Sequence, residues 1–121
     1  MPFGYTGKIL HVDLTNQQLE IEEPPEMFYR QYMGGSAMGV YYILTMMPAG
    51  IDALDPRNVL TIMASPTTGT SISGQSRVNV NAKSPISGTI GDSQGGGFFP
   101  AELKFAGYDG IVITGFCPGP S

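Results

Sequence analysis

Between Gly7 and Glu23 the chain alternates apolar and polar positions. Ile9, His11 and Asp13 fall on one face of an extended segment, and Leu10, Val12 and Leu14 on the other. Leu19 and Ile21 then alternate with Glu20 and Glu22. A period of two on both sides of Thr15-Asn16 predicts a β-hairpin, with the asparagine supplying a left-handed turn residue. The period then changes. Pro24-Pro25-Glu26 opens a helix with proline and an acid in its first turn, carrying Phe28, Tyr32 and Met33 along one side. Gly34-Gly35 interrupts it, and Ser36 is placed to cap a second helix running through "AMGVYYILTMM" to Pro48. That helix is apolar nearly all round, which predicts full burial, with Met38, Met46 and Met47 as core filler rather than a cofactor box.

"GIDALDPRN" reads as a loop, and "VLTIMAS" as a short buried strand. A long polar stretch follows, from Ser71 to Gly110, in which "SPISGT" echoes the earlier "SPTTGT". Within it "SRVNVNAK" alternates, placing Val78 and Val80 on one face and Arg77, Asn79 and Asn81 on the other. "DSQGGG" leads into a short helix, "FFPAELKFAG", with Phe98, Phe99, Leu103 and Phe105 as its apolar set and Gly107 as its stop. "GIVITGF" is a last strand before the turn-like tail "CPGPS". The order β-β-α-β-β-(β)-α-β predicts an α+β domain: a mixed or antiparallel sheet with hairpins and two to three helices. The abrupt end of the last strand suggests a domain cut mid-protein.

Composition narrows the function classes. The 121 residues make one domain or part of one, 41% hydrophobic and 13% charged, with 17 glycines and 10 prolines. A net charge of −4 and six scattered basic residues offer no basic face for nucleic acid. Cys117 is the only cysteine and His11 the only histidine, so no internal disulfide, zinc site or iron–sulfur site can be built from this chain alone. "MPFGYTGK" carries no signal pattern, and the apolar run Ala37–Pro48 is shorter than the ~20 residues of a membrane span. A cytoplasmic protein without a membrane partner is the expectation.

Candidate chemistry is confined to the polar stretch. Gly95, Gly96 and Gly97 precede a helix, an arrangement that aims backbone N–H groups at an anion, and Arg77 offers a planar fork suited to phosphate. Asn79 and Asn81 on the same face could read amide or ring-nitrogen edges. The alternative reading is a type II turn, a glycine packing contact and a surface arginine. No dinucleotide or Walker fingerprint is present, and no Ser/His/Asp or Cys/His constellation is available. Glu22-Glu23, at a strand end, reads as a solvated guard of the sheet edge.

"GYTGKILHVDLT", "YMGGSAMGVYYIL", "ASPTTGTSISGQSRVNVNAKSP" and above all "GGFFPAELKFAGYDGIVITG" resemble the N-terminal region of the tungsten-containing aldehyde:ferredoxin oxidoreductases. The resemblance runs over essentially the whole chain. It implies that residues 1–121 are the first, incomplete part of a pseudo-twofold repeated N-terminal domain, the floor under a tungsten (or molybdenum) bis-pyranopterin. It implies aldehyde oxidation to carboxylic acids with ferredoxin as acceptor, in a protein several times longer that also holds a 4Fe-4S cluster. Arg77 matches the arginine meeting the pterin phosphate region, and Gln94 the residue whose backbone carbonyl ligates a bridging magnesium. Gly95 and Gly96 match the glycine segment against the cofactor. Two departures stand out: Ser36 replaces an arginine common after the double glycine, and "GQSR" replaces a "GGR"-like segment.

The expected partners are the remainder of the enzyme or a separate iron–sulfur subunit, ferredoxin, and further copies in a homo-oligomer. This chain alone is not expected to catalyse. The competing expectation is a cofactor-free assembly module that kept the fold.

Overall fold

The computed structural model describes residues 6–47, 50–52, 55, 58–66, 68 and 77–115. In chain order the elements are β1 (Ile9–Asp13), β2 (Gln18–Glu22), α1 (Glu26–Tyr32), α2 (Gly35–Met46), β3 (Leu60–Ala64), β4 (Val78–Lys83), β5 (Ile90–Gly95), α3 (Phe99–Phe105) and β6 (Gly110–Thr114). The six strands form one mixed sheet in the order β2-β1-β6-β3-β4-β5. The fold is α+β as expected, and the strand left optional by the sequence exists as β5. Only β1 and β6 run parallel; every other neighbouring pair is antiparallel.

The hairpin forms because alternation lets β1 present Ile9 to the core while Asp13 ties the turn. Its carboxylate accepts N–H bonds from Thr15 at 3.1 Å and Asn16 at 3.2 Å, and the Asn16 amide at 2.8 Å. These bonds, the Asn16 amide's first, hold the Asp13 carboxyl below its ordinary pKa. The left-handed residue is Gln17 (φ 54°) rather than the asparagine, whose side chain is spent on Asp13.

Helix α2 lies across β3 and β4. Its buried set is Gly35, Met38, Gly39, Tyr42 and Ile43, a stripe at helical spacing. The expectation of burial all round is corrected: Leu44 is 72% exposed and Met46 is exposed as well, because one sheet surface can cover only one side of a helix. Met38 is core filler as expected, Met47 packs at the margin, and Met46 does not. The helix begins at Gly35 with Gly34 as its cap and no side-chain capping bond, so Ser36 is not the cap. Gly34 has φ 149°, and a β-carbon there would stand 2.7 Å from the Ala64 carbonyl.

The core comprises Ile9, Tyr29, Met38, Tyr42, Ile43, Val59, Met63 and Val112. Each buried aliphatic side chain contributes about 1.5–3 kcal/mol relative to exposure. In α1 the buried residue is Tyr29, while Phe28 and Tyr32 form an aromatic rim with Tyr41 and Met33 stays exposed. In α3 the expected apolar set is also corrected. Pro100 and Leu103 are buried, whereas Phe98 (89% exposed), Phe99 and Phe105 face outward. Gly107 does end the helix, with φ 100° and its N–H on the Lys104 carbonyl at 3.0 Å.

Candidate functional site

Arg77 immediately precedes β4, and Gln94 lies on the neighbouring strand β5, paired with Asn79. This pairing brings two of the sequence candidates side by side. Arg77 Nη1 stands 3.5 Å from Gln94 Oε1, a contact at the outer limit of a hydrogen bond, and both residues are exposed. Gly95 closes β5 opposite Val78, and exposed Gly96 follows. A β-carbon built on Gly95 or Gly97 meets nothing within 4 Å, so the backbone here borders open space. β5 is an edge strand, which leaves half of its backbone polar groups turned away from the sheet.

Arg77 is anchored through its backbone. Thr68, buried, donates its hydroxyl to the Arg77 carbonyl at 3.2 Å and accepts the Ser65 N–H at 3.1 Å. The Ser65 carbonyl in turn accepts Lys104 Nζ at 3.2 Å, and Lys104 pairs with Asp109 at 3.0 Å. Asp109 also accepts the Thr6 and Gly7 N–H groups, each at 2.9 Å. A continuous hydrogen-bonded chain therefore runs from "AELKFAGYDG" to Arg77. Sequence reading missed Thr68, Lys104 and Asp109. The buried lysine and aspartate five residues apart were the available signal, because such groups stay buried only when paired.

The two asparagines do not join Arg77 at its exposed position. By register they share its side of β4, but that side is the one α2 covers. A β-carbon on Gly35 would lie 3.0 Å from Asn79 Oδ1, and one on Gly39 2.8 Å from Asn81 Oδ1. Asn81 is buried and spends its amide on the Gly91 carbonyl at 3.3 Å and the Asp92 carboxylate at 3.1 Å. Ser36 donates to the same Asp92 oxygen at 2.9 Å, joining the start of α2 to β5.

A second polar cluster gathers at the far end of α2. Glu22 Oε1 accepts the Tyr42 hydroxyl at 2.7 Å and meets His11 Nε2 at 2.7 Å, with the rings of His11 and Tyr42 edge to face. Burial, followed by the Glu22 carboxylate, pushes the Tyr42 phenol well above its ordinary pKa. Glu22 stays solvated on edge strand β2, its side chain 44% exposed, and in addition accepts from two neighbouring side chains. A cavity of about 350 Å³ opens beside it, lined by His11, Glu20, Tyr41, Tyr42, Thr45 and Met46 among others. Among the described residues no group of three or more His, Cys, Asp or Glu side chains could hold a metal, and no helix is long and apolar enough to cross a membrane. Cys117 and Ser71–Ser76, including most of "GQSR", lie outside the described residues.

The family model described as "Aldehyde ferredoxin oxidoreductase, N-terminal domain" matches residues 9–121. The chain is 40% identical over 118 residues to a tungsten-containing aldehyde ferredoxin oxidoreductase of Pyrococcus furiosus, and 42% identical over 118 residues to that of Pyrococcus abyssi. It is 32% identical over 121 residues to an aliphatic sulfonate oxidoreductase, WOR-like subunit, of Pyrococcus furiosus. These matches cover 98% of this chain but 19 or 20% of each relative, so the chain spans about a fifth of their length. The active site complex BamBC of benzoyl coenzyme A reductase, solved with 1,5-dienoyl-CoA, matches with a TM-score of 0.93 at 32% identity, over 98% of this chain and 18% of that one.

Proposed function

Because the chain belongs to the aldehyde ferredoxin oxidoreductase family, through the segment covered by that family's N-terminal domain, we propose that it forms the floor of a tungsten or molybdenum bis-pyranopterin site in a longer oxidoreductase. The observation that carries this reading is the placement of Arg77. Its guanidinium is exposed beside Gln94, next to a glycine backbone that borders open space, and it is anchored from behind by a buried hydrogen-bonded chain. A cation held by its backbone while its head is exposed suits an anionic partner.

The donor set fits such a group. Arg77 would hold the phosphate region, Gly95 and Gly96 would let the flat ligand approach the backbone, and the Gln94 carbonyl would serve a bridging magnesium. When bound, the metal and its dithiolenes supply the two-electron redox chemistry. This chain contributes binding and orientation, since among the described residues no nucleophile or proton-transfer pair accompanies Arg77. In this reading the longer protein oxidises aldehydes to carboxylic acids, holds its 4Fe-4S cluster on cysteines outside residues 1–121, passes electrons to ferredoxin and assembles as a homo-oligomer.

The test is Arg77→Ala in the intact longer polypeptide, reading tungsten or molybdenum and released pterin per polypeptide. A several-fold fall in both is expected, with Arg77→Lys intermediate because a point charge replaces the fork. Full occupancy in Arg77→Ala would sink the assignment.

A further inference from the structure

β5 carries Gln94 and Gly95, and little of the fold holds it. It lies at the sheet edge, pairs only with β4, and none of its six residues is buried. Gln94 and Gly95 occupy the last two rungs of that ladder, opposite Asn79 and Val78, where an edge strand frays first. One side chain ties the strand to another layer. Asp92, paired with Asn81 across the ladder, accepts the Ser36 hydroxyl at 2.9 Å and the Asn81 amide at 3.1 Å, both on Oδ1. Among the described residues it is the only β5 side chain bonded to a helix. Ser36 stands in the first turn of α2, a helix of 12 residues with no acidic residue of its own there. Asp92 therefore also supplies the negative charge that a helix start favours.

Asn81 shows that this arrangement serves more than stability. Its side chain is buried, and Nδ2 must face two acceptors, the Asp92 carboxylate and the Gly91 carbonyl at 3.3 Å. Oδ1 is thereby turned toward Gly39, where it finds no donor among the described residues. A buried polar atom left unpaired is costly, and an apolar side chain would strand none. What the asparagine adds is orientation, since its amide holds two consecutive residues of β5.

We propose that Asp92 is a positioning residue: held by Ser36 and Asn81, it fixes the end of β5 so that Gln94 and Gly95 stand beside Arg77 before any ligand arrives. The inference rests on the proposed function and adds to it a residue that acts through Gln94. Asp92 and Gln94 share one face of β5, about 6.6 Å apart along the strand, so the anchor lies one step from the residue it places. A strand already in place avoids the ordering cost that a frayed one incurs on binding.

The experiment compares Asp92→Ala, Asp92→Asn and Arg77→Ala in the intact longer polypeptide. It reads tungsten or molybdenum and released pterin per polypeptide. It also reads amide hydrogen exchange in a peptide spanning residues 90–97, on protein produced without tungstate or molybdate, so that metal occupancy does not set the rate. Asp92→Ala should lose metal and pterin several-fold and speed exchange in 90–97 several-fold, with exchange in β1, β3 and β6 unchanged. Asp92→Asn keeps an acceptor oxygen for both donors without the charge, and should restore both readings most of the way. Full metal and pterin content in Asp92→Ala overturns the proposal. Failure of Asp92→Asn to rescue overturns it too, by assigning the effect to charge rather than position. Faster exchange throughout the sheet does the same, by making Asp92 a general stabiliser. Should Asp92→Ala not fold, Ser36→Ala removes one of the two donors and should shift both readings in the same direction; unchanged content there rejects the latch. A fall in Arg77→Ala with full content in Asp92→Ala rejects only the role of Asp92, whereas full content in both removes the cofactor reading as well.

Discussion

Lys104 Nζ stands 3.0 Å from Asp109 Oδ1, and the two side chains are only 8% and 5% exposed. The ammonium also reaches the Ser65 carbonyl, and the carboxylate takes two backbone N–H groups from the segment before β1. One ion pair thereby joins the N-terminal segment, the end of β3, α3 and β6. Asp109→Ala leaves a buried ammonium without its counter-charge and is expected to cost about 3–5 kcal/mol, measured by denaturant unfolding. Lys104→Met paired with Asp109→Leu should recover a large part of that loss, since the double change strands no charge. A single-variant loss under about 1 kcal/mol would show that the pair does not hold these elements together.

Thr68 links this clamp to Arg77. Thr68→Val keeps the shape but removes the donor to the Arg77 carbonyl, so a loss of about 1–3 kcal/mol is expected from the unsatisfied buried groups. Tungsten or molybdenum content of the longer polypeptide should fall with it, and Thr68→Ser should restore both. Full metal content in Thr68→Val would mean that Arg77 needs no such brace.

Gly39 brings the backbone of α2 close against the sheet. A β-carbon there would sit 2.6 Å from Thr61 Oγ1 and 2.8 Å from Asn81 Oδ1. Gly39→Ala gains helix propensity worth about 1 kcal/mol but must push the helix off two buried polar side chains. Net destabilisation of about 1–3 kcal/mol is expected by thermal or denaturant unfolding. Stabilisation instead would mean that α2 lies farther from β3 and β4.

The Tyr42 phenol titrates above its unfolded value, so the folded chain holds that proton where the unfolded chain has lost it. Its contribution is therefore complete below about pH 10 and is lost as pH rises toward the folded value. Wild-type stability should fall across alkaline pH more steeply than that of Tyr42→Phe. Tyr42→Phe should also lose about 1.5–3 kcal/mol near neutrality by removing the bond to Glu22. Parallel pH profiles for the two proteins would exclude Tyr42 as the source.

Strands were the most legible part of the sequence because a period of two survives in any context. β1, β2, β3, β4 and β6 all stand where alternation or an apolar run placed them. β5 was ambiguous, since "IGDSQG" has neither β-branched alternation nor apolar weight and is held by its pairing with β4. Arg77 was singled out by its guanidinium in the polar stretch and Gln94 by resemblance alone, and their proximity required the β4–β5 register. The environment of Asn79 and Asn81 was illegible because parity gives a face but not what covers it. The partners of Glu22 were illegible for the same reason: His11 and Tyr42 come from a neighbouring strand and a helix 20 residues away.

The place of β6 in the sheet has a consequence in time. β6, the last of the described strands, is inserted between β1 and β3, so the hairpin at Ile9–Glu22 gains its parallel neighbour only after residues 110–114 exist. At about 5–20 residues per second of synthesis, the roughly 90 intervening residues take on the order of 5–20 s. During that interval the free flank of β1, with Ile9 and Leu10, has no sheet partner on that side. The nascent chain depends for those seconds on whatever shields an unpaired strand, and a pause in translation between β5 and β6 lengthens its exposure to aggregation more than a pause after β6.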